Sequence, residues 1–333
     1  MCAAYDLNAF VPGQGVPPPQ WVTRDAFESQ LARVHGRVPD PCVGLFGPDS
    51  MMWRIGRSHL PTTLGAGRAL LLQVAHPWVT QGVDHHSRTR SDPLGRARRT
   101  FTNVLSITFG SLEQALAAAA RVHGVHRYVK GAMEYSAGGF KQGDAYAANE
   151  VHALVWVHAT LWDSAMRMYE AVVEPVSAGD KERFYEETKL FAYLFGIPED
   201  ALPPHWQAFA AYNERMWASD QLAVTPAALQ LTQFLFKPLF PGLGPVMRWM
   251  EMVTAATLPP RLAADFRLQY SSGTQARFDR TIERARWLQR CLPERLRYSP
   301  TYFEALARIS GRRSDWFTRT ATRVMLGRWR LVS

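Results

Sequence analysis

Apolar residues recur along this chain at the three- and four-residue spacing of buried helix faces, and strand-like alternation is nearly absent. The spacing predicts a short helix over 24–34 and another over 51–59. A first core helix over 64–80 has an apolar face too wide for a surface helix. Pro77 either kinks it or ends it near Ala75. Asp92-Pro93 reads as a helix start, Asp capping and Pro occupying the first turn. That helix runs on through Leu94, Ala97, Phe101 and Leu105. Ser111, with Gln114 three residues later, opens a helix over 111–129 through a capping box. A loop over 131–143 precedes a long, largely apolar helix over 149–173. Further helices are expected over 178–195, 204–218, 226–235, 246–256, 263–269, 274–292 and 302–309.

No βαβ alternation, GxGxxG fingerprint or internal repeat interrupts this series. The expected fold is all-α: a single multi-helix orthogonal bundle, large enough to enclose a cofactor. Residues 1–47, rich in Pro and Gly, read as a wrapping arm, 48–310 as the helical domain and 311–333 as a basic tail.

Composition narrows the function classes. The chain has 333 residues, 47% of them hydrophobic, enough for a sizeable core. Cys2, Cys42 and Cys291 are scattered and odd in number, so neither a disulfide framework nor a zinc knuckle is expected. No secretory signal and no membrane-spanning stretch is visible, which gives a cytoplasmic expectation. The formal charge of +9 is spread along the chain without a nucleic-acid-binding motif. No specific nucleic acid is expected as partner. Contact with an anionic membrane surface, cofactor or partner remains open.

Seven of the ten histidines fall between residues 68 and 164: His76, His85, His86, His123, His126, His152 and His158. Several sit among apolar residues. A buried imidazole costs solvation unless it finds a partner, and the neutral ring is a good metal or heme-iron ligand. His126, flanked by Val122, Val125 and Val129, reads as a ligand or as a satisfied core histidine. His158 reads as a cofactor-facing group or as a ring bonded to the backbone. Arg96, Arg99 and Thr100, spaced i, i+3, i+4, form one polar ridge suited to carboxylates or a bound oxygen species. There is no Glu three residues before any histidine, no HExxH and no GxSxG, which argues against ferritin-like di-iron bundles, zincins and α/β-hydrolases. Heme, an irregular non-heme site using His85 and His86, or no metal remain.

RALLLQVAHPWVTQGVDHHS (68–87), DPLGRARRT, HRYVKG and WVHATLWDS, together with FYEETKLFAYLFGIP and LPERLRYSP, resemble the DUF2236 family. That family holds the catalytic domain of the bacterial latex-clearing rubber oxygenases and the fungal oxygenase of mycophenolic acid biosynthesis. The resemblance covers roughly Trp53 to Pro300. It implies an all-helical protein holding heme b, which with O2 acts on an apolar, isoprenoid or lipid-like small molecule. It also implies His126 as axial ligand to the iron, the metal in question. Arg96, Arg99 and Thr100 match the family's distal Arg-x-x-Lys-Thr, with Arg99 in place of the lysine. His158 matches the His of a Thr-x-His, with Trp156 in place of threonine, and is implied to support the heme pocket. Arg99 stays protonated and is a poor iron ligand. A non-catalytic heme- or lipid-binding protein, a non-heme metal enzyme, and a structural protein on the same fold are the rival readings. The sequence leaves substrate, reductant and oligomeric state open.

Overall fold

Local stop and start signals govern where the helices break. The computed structural model describes residues 19–87, 92–238, 242–269 and 271–331. Thr23 caps α1 (Arg24–Arg37), and Ser50 caps α2 (Met51–Gly56). The expected long helix over 64–80 is two: α3 (His59–Val74) and α4 (Pro77–His86). Pro77 ends the first and occupies the first turn of the second, as its missing N–H and fixed φ require. Asp92 caps α5 (Pro93–Phe109), accepting from the Gly95 amide at 2.8 Å. Ser111 and Gln114 form the capping box of α6 (Leu112–His126). Glu150 caps α7 (Val151–Val172), and Ser177 caps α8 (Ala178–Tyr193).

A 3₁₀ turn (Glu199–Ala201) leads to α9 (Trp206–Ala218) and α10 (Pro226–Leu235). The rest comprises α11 (Gly244–Thr257), α12 (Pro260–Asp265), α13 (Ser272–Cys291), α14 (Glu294–Arg297), α15 (Pro300–Ile309) and α16 (Trp316–Leu326). The protein is almost entirely helical, as expected. Two local expectations fail, and one segment carries a helix that was not anticipated. The helix expected over 263–269 starts earlier, at Pro260, and stops before Arg267, whose φ of 58° is left-handed. The segment 131–143 is not all loop. Its start joins β1 (Lys130–Ala132), which pairs antiparallel with β2 (Ala145–Ala147). The segment over 311–333 carries α16, which packs on α15 and α5. Residues 1–18 of the expected arm lie outside the described residues.

The centre of the molecule is α7, packed most extensively on α3. Gly65 brings the two backbones close: a Cβ there would stand 3.2 Å from the Ser164 carbonyl oxygen. One ion pair is built into this seam. Arg68 Nη1 lies 2.7 Å from Asp163 and 2.8 Å from Ser164 Oγ, and its Nε donates to the Thr257 carbonyl at 2.8 Å. Arg167 Nε approaches both Asp163 oxygens at 3.0 Å. Both guanidinium groups lie over the Trp217 ring, at 5.5 and 5.0 Å. Arg68 and Asp163 are buried, so each depends on the other for compensation.

Among the described residues, no helix is long and apolar enough to cross a membrane. Cys42 and Cys291 are free and exposed.

Candidate heme-ligand site

Two residues, Gly110 and Ser111, separate α5 from α6, and the two helices pack along each other. The chain therefore reverses, and the side-chain bond from Arg121 to Asn103 at 3.4 Å fixes the antiparallel register. This places the first turns of α5, with Arg96 and Arg99, at the same end as His126 on the last turn of α6. Then β1 and β2 fold the chain back. Ala148 donates to the Val129 carbonyl at 2.9 Å, setting Asn149 and the start of α7 against the end of α6.

His126 is half-buried, but its Nδ1 is fully enclosed and has no hydrogen-bond partner. Burial pushes its pKa down to about 4, the His123 ring adds to the drop, and a side-chain hydrogen bond with Asn149 opposes it. The ring is therefore neutral near pH 7, the form that donates to a metal. Neighbouring imidazoles are also neutral. His152 falls to about 4 by burial. His76 falls to about 3 by burial and by the proximity of His152, and its Nδ1 is enclosed without a partner. His123 stacks on Phe27 of α1 at 4.0 Å, and both its nitrogens lack partners. Glu150 is fully buried, and burial raises its carboxyl to about 7 against three backbone amides that lower it.

His158 lies farther along α7 and is buried, with a pKa near 3 from burial alone. Trp162, one turn on, donates its indole N–H to His158 Nδ1 at 3.1 Å. That bond selects the tautomer. Since Nδ1 accepts, Nε2 of the neutral ring carries the proton, and this N–H is enclosed without an acceptor. Trp162 also borders an apolar cavity of about 70 Å³ that includes Met52, Val104, Leu105, Leu161 and Phe184.

The ridge of Arg96, Arg99 and Thr100 divides. Arg96 is half-buried, and burial, then the charge of Arg99, lowers its pKa. Arg99 is exposed and pairs with the capping Asp92 at 3.1 Å, and Thr100 is also exposed. Gly95 allows this arrangement, because a Cβ there would stand 2.0 Å from an Asp92 oxygen. His85 and His86 form a separate surface group. His85 Nδ1 and His86 Nε2 lie 3.0 and 3.3 Å from the Tyr146 hydroxyl, and His85 Nε2 lies 3.1 Å from Glu134. Among the described residues, no three His, Cys, Asp or Glu side chains converge as a metal-ligand group.

Sequence reading did not single out Asn149, Glu150 or Trp162. The first two precede the apolar run of α7 as a helix-start signal, and Trp162 stands four residues from His158, on the same helix face.

The family described as ER-bound oxygenase mpaB/B′/Rubber oxygenase, catalytic domain, matches residues 53–287. An uncharacterized protein of Mycobacterium bovis and one of Mycobacterium tuberculosis are each 25% identical to this chain over 235 residues. The alignments cover 68% of this chain and 88% of each relative. No solved structure matches. With most of its helical body inside the match, the chain belongs to the family of catalytic domains shared by the mpaB-type and rubber oxygenases.

Proposed function

We propose that this protein is a heme b-dependent oxygenase that acts with O2 on an apolar, isoprenoid or lipid-like small molecule. The observation that carries the reading is the enclosed, unpartnered Nδ1 of a neutral His126, at the end of a hairpin that also bears Arg96. One neutral imidazole would be enough to hold heme iron from the protein side, so the donor set suits heme without a multi-residue metal cluster.

His126 would hold the iron in this reading, and Asn149 would fix the orientation of its ring. Outer partners of this kind set ligand direction and basicity. Heme, when bound, would supply the redox chemistry with dioxygen, and the chain would supply the His126 imidazole nitrogen and the Arg96 charge. Arg96 keeps a permanent positive charge beside the site, suited to a propionate or to developing negative charge. His158 acts as a hydrogen-bond donor through Nε2, since Trp162 occupies its other nitrogen. Arg99 and Thr100 stand at the rim, where Arg99 moves inward only by leaving Asp92.

The cavity bordered by Trp162, about 70 Å³, is well below the ~300 Å³ at the low end of small-molecule pockets. Neither His126 nor Arg96 lines it, so it is separate from the proposed heme-ligand site.

Expression with ample heme precursor, followed by absorption spectroscopy and pyridine-hemochrome quantification, tests the proposal. A Soret band with about one heme per chain is expected. His126→Ala loses most of it, whereas His158→Ala keeps heme with an altered spectrum. Stoichiometric heme with an unchanged spectrum in His126→Ala would remove the ligand assignment. Folded wild-type protein without heme would remove the mechanism.

A further inference from the structure

At the other end of α7 the chain gathers arginines. Tyr169 lies 17 residues beyond His152, about 25 Å along the helix. There a cleft of about 150 Å³ opens between α2, α7, α13 and α14. Five guanidinium groups line it: Arg54, Arg57, Arg286, Arg290 and Arg297. Glu174 is the one carboxylate among the described lining residues.

That carboxylate is already engaged. Its Oε1 lies 2.8 Å from Arg54 Nη2 and accepts from the Tyr169 hydroxyl at 2.9 Å. Arg54 first, then Tyr169, hold the Glu174 carboxyl below the usual range, and the charge of Arg57 adds to this. Arg297 has a longer pair with Glu294, at 3.7 Å. Among the described residues, Arg57, Arg286 and Arg290 have no carboxylate within ion-pair distance.

Two of these cations share one ring. Arg57 lies 4.5 Å and Arg297 4.8 Å from the centroid of Tyr298. The ring attracts each of them, but the two charges repel each other at this range. An anion between the guanidinium groups removes that repulsion.

Two enclosed polar groups also lack partners. Arg297 Nε has no acceptor. Gln289, 4% exposed, sets its Nε2 3.3 Å from Ser58 Oγ and leaves Oε1 unpartnered. Exchanging the amide O and N, which are interchangeable in assignment, lets Ser58 donate to Gln289 and turns the amide N–H groups to the unpartnered side.

We propose that this cleft binds a phosphate-class oxyanion, either inorganic phosphate or the phosphomonoester head of a lipid. Guanidinium forks suit phosphate oxygens, and several of them converging from different helices suit a tetrahedral dianion better than a planar carboxylate. The cleft, about 150 Å³ and open to solvent, has room for a phosphate group. Val172, on its wall, also belongs to an apolar cluster with the partly buried Trp249, Met252 and Phe278, a surface suited to a lipid chain.

The test uses the full chain, with inorganic phosphate against chloride at matched ionic strength, and phosphatidylcholine vesicles with and without phosphatidic acid. Wild type is expected to bind at least one of the two probes, phosphate or phosphatidic acid. Arg290 is exposed, so Arg290→Glu leaves the core intact and weakens binding by at least about tenfold. Arg284→Glu, an equal charge change on exposed α13 surface outside the cleft, leaves binding unchanged. Response to phosphate identifies the free anion as a ligand, and response to phosphatidic acid vesicles alone identifies the lipid. No binding of either probe, or equal loss in the two variants, overturns the site. Heme content plays no part in either readout.

Discussion

The two ends of α7 enclose nitrogen in opposite ways. At its N-terminal end His76, His126 and His152 are neutral, their pKa values pushed down to between about 3 and 4. At its C-terminal end, five arginines surround an open cleft. Imidazole sheds its proton when solvation is withdrawn, whereas guanidinium keeps its charge. The histidine end can therefore close over itself, leaving Nδ1 of His76 and of His126 without a partner. The arginine end stays in reach of water, leans on aromatic faces and calls for an anion. Midway, Arg68 is the arginine that did go inside, and it did so only against Asp163.

The sharpest way to break this contrast is to remove Asp163. Asp163→Ala leaves Arg68 buried and uncompensated, with Arg167 facing it across the same gap. A loss of about 3–5 kcal/mol is expected in urea unfolding. A loss below about 1 kcal/mol would show that water reaches Arg68 and that the helix has no truly closed middle.

Acid titration tests the histidine end. The four histidines with values of about 3 or 4, including His158, sit below the ordinary 6.5. Between those values the unfolded chain binds more protons, so their contribution is intact above pH 6.5 and declines as the pH falls. Glu150 works the other way: raised to about 7, it holds a proton in the folded state and lowers stability as pH rises from 4.5 to 7. The histidines outnumber it, so stability falls on acidification from pH 6.5, by about 1.4 kcal/mol per pH unit for each net proton. Glu150→Gln steepens that fall. Unfolding free energies measured from pH 8 to 4.5 check both signs.

Trp162→Phe should cost about 1–3 kcal/mol by leaving His158 Nδ1 without its donor. In wild type, ¹⁵N spectra should show His158 as the Nε2–H tautomer, and a mixture appears in the variant. The smallest effect belongs to Arg99→Ala. Its exposed pair with Asp92 is worth no more than about 1 kcal/mol, so thermal unfolding barely moves. A large drop would mean that Arg99 spends its time inward, against Arg96.

Local chemistry made most of the helices legible. Pro77, Asp92, the Ser111–Gln114 pair and Ser177 each act through neighbours within four residues, so a one-dimensional reading finds them. The β1–β2 hairpin escaped because three-residue strands carry no usable alternation. Helix α16 escaped because its arginines resemble a solvated tail, while its contact rests on Thr318, Thr322 and Leu326. Within the site, the apolar setting of His126 was visible. The inward turn of Arg96 and the outward turn of Arg99 were not, because spacing defines a shared face but not how each side chain bends from it. The arginine cleft assembles residues from 54 to 298, a separation at which periodicity says nothing.

Helix α16 also puts the candidate site on a clock. Arg98, the residue before Arg99 on the ligand-bearing hairpin, donates to the Val324 carbonyl at 3.2 Å, 226 positions later in the chain. Ribosomes add ~5–20 residues per second, so about 10 to 45 s separate the synthesis of these two partners. For that interval the α5–α6 hairpin has to do without its outer clasp.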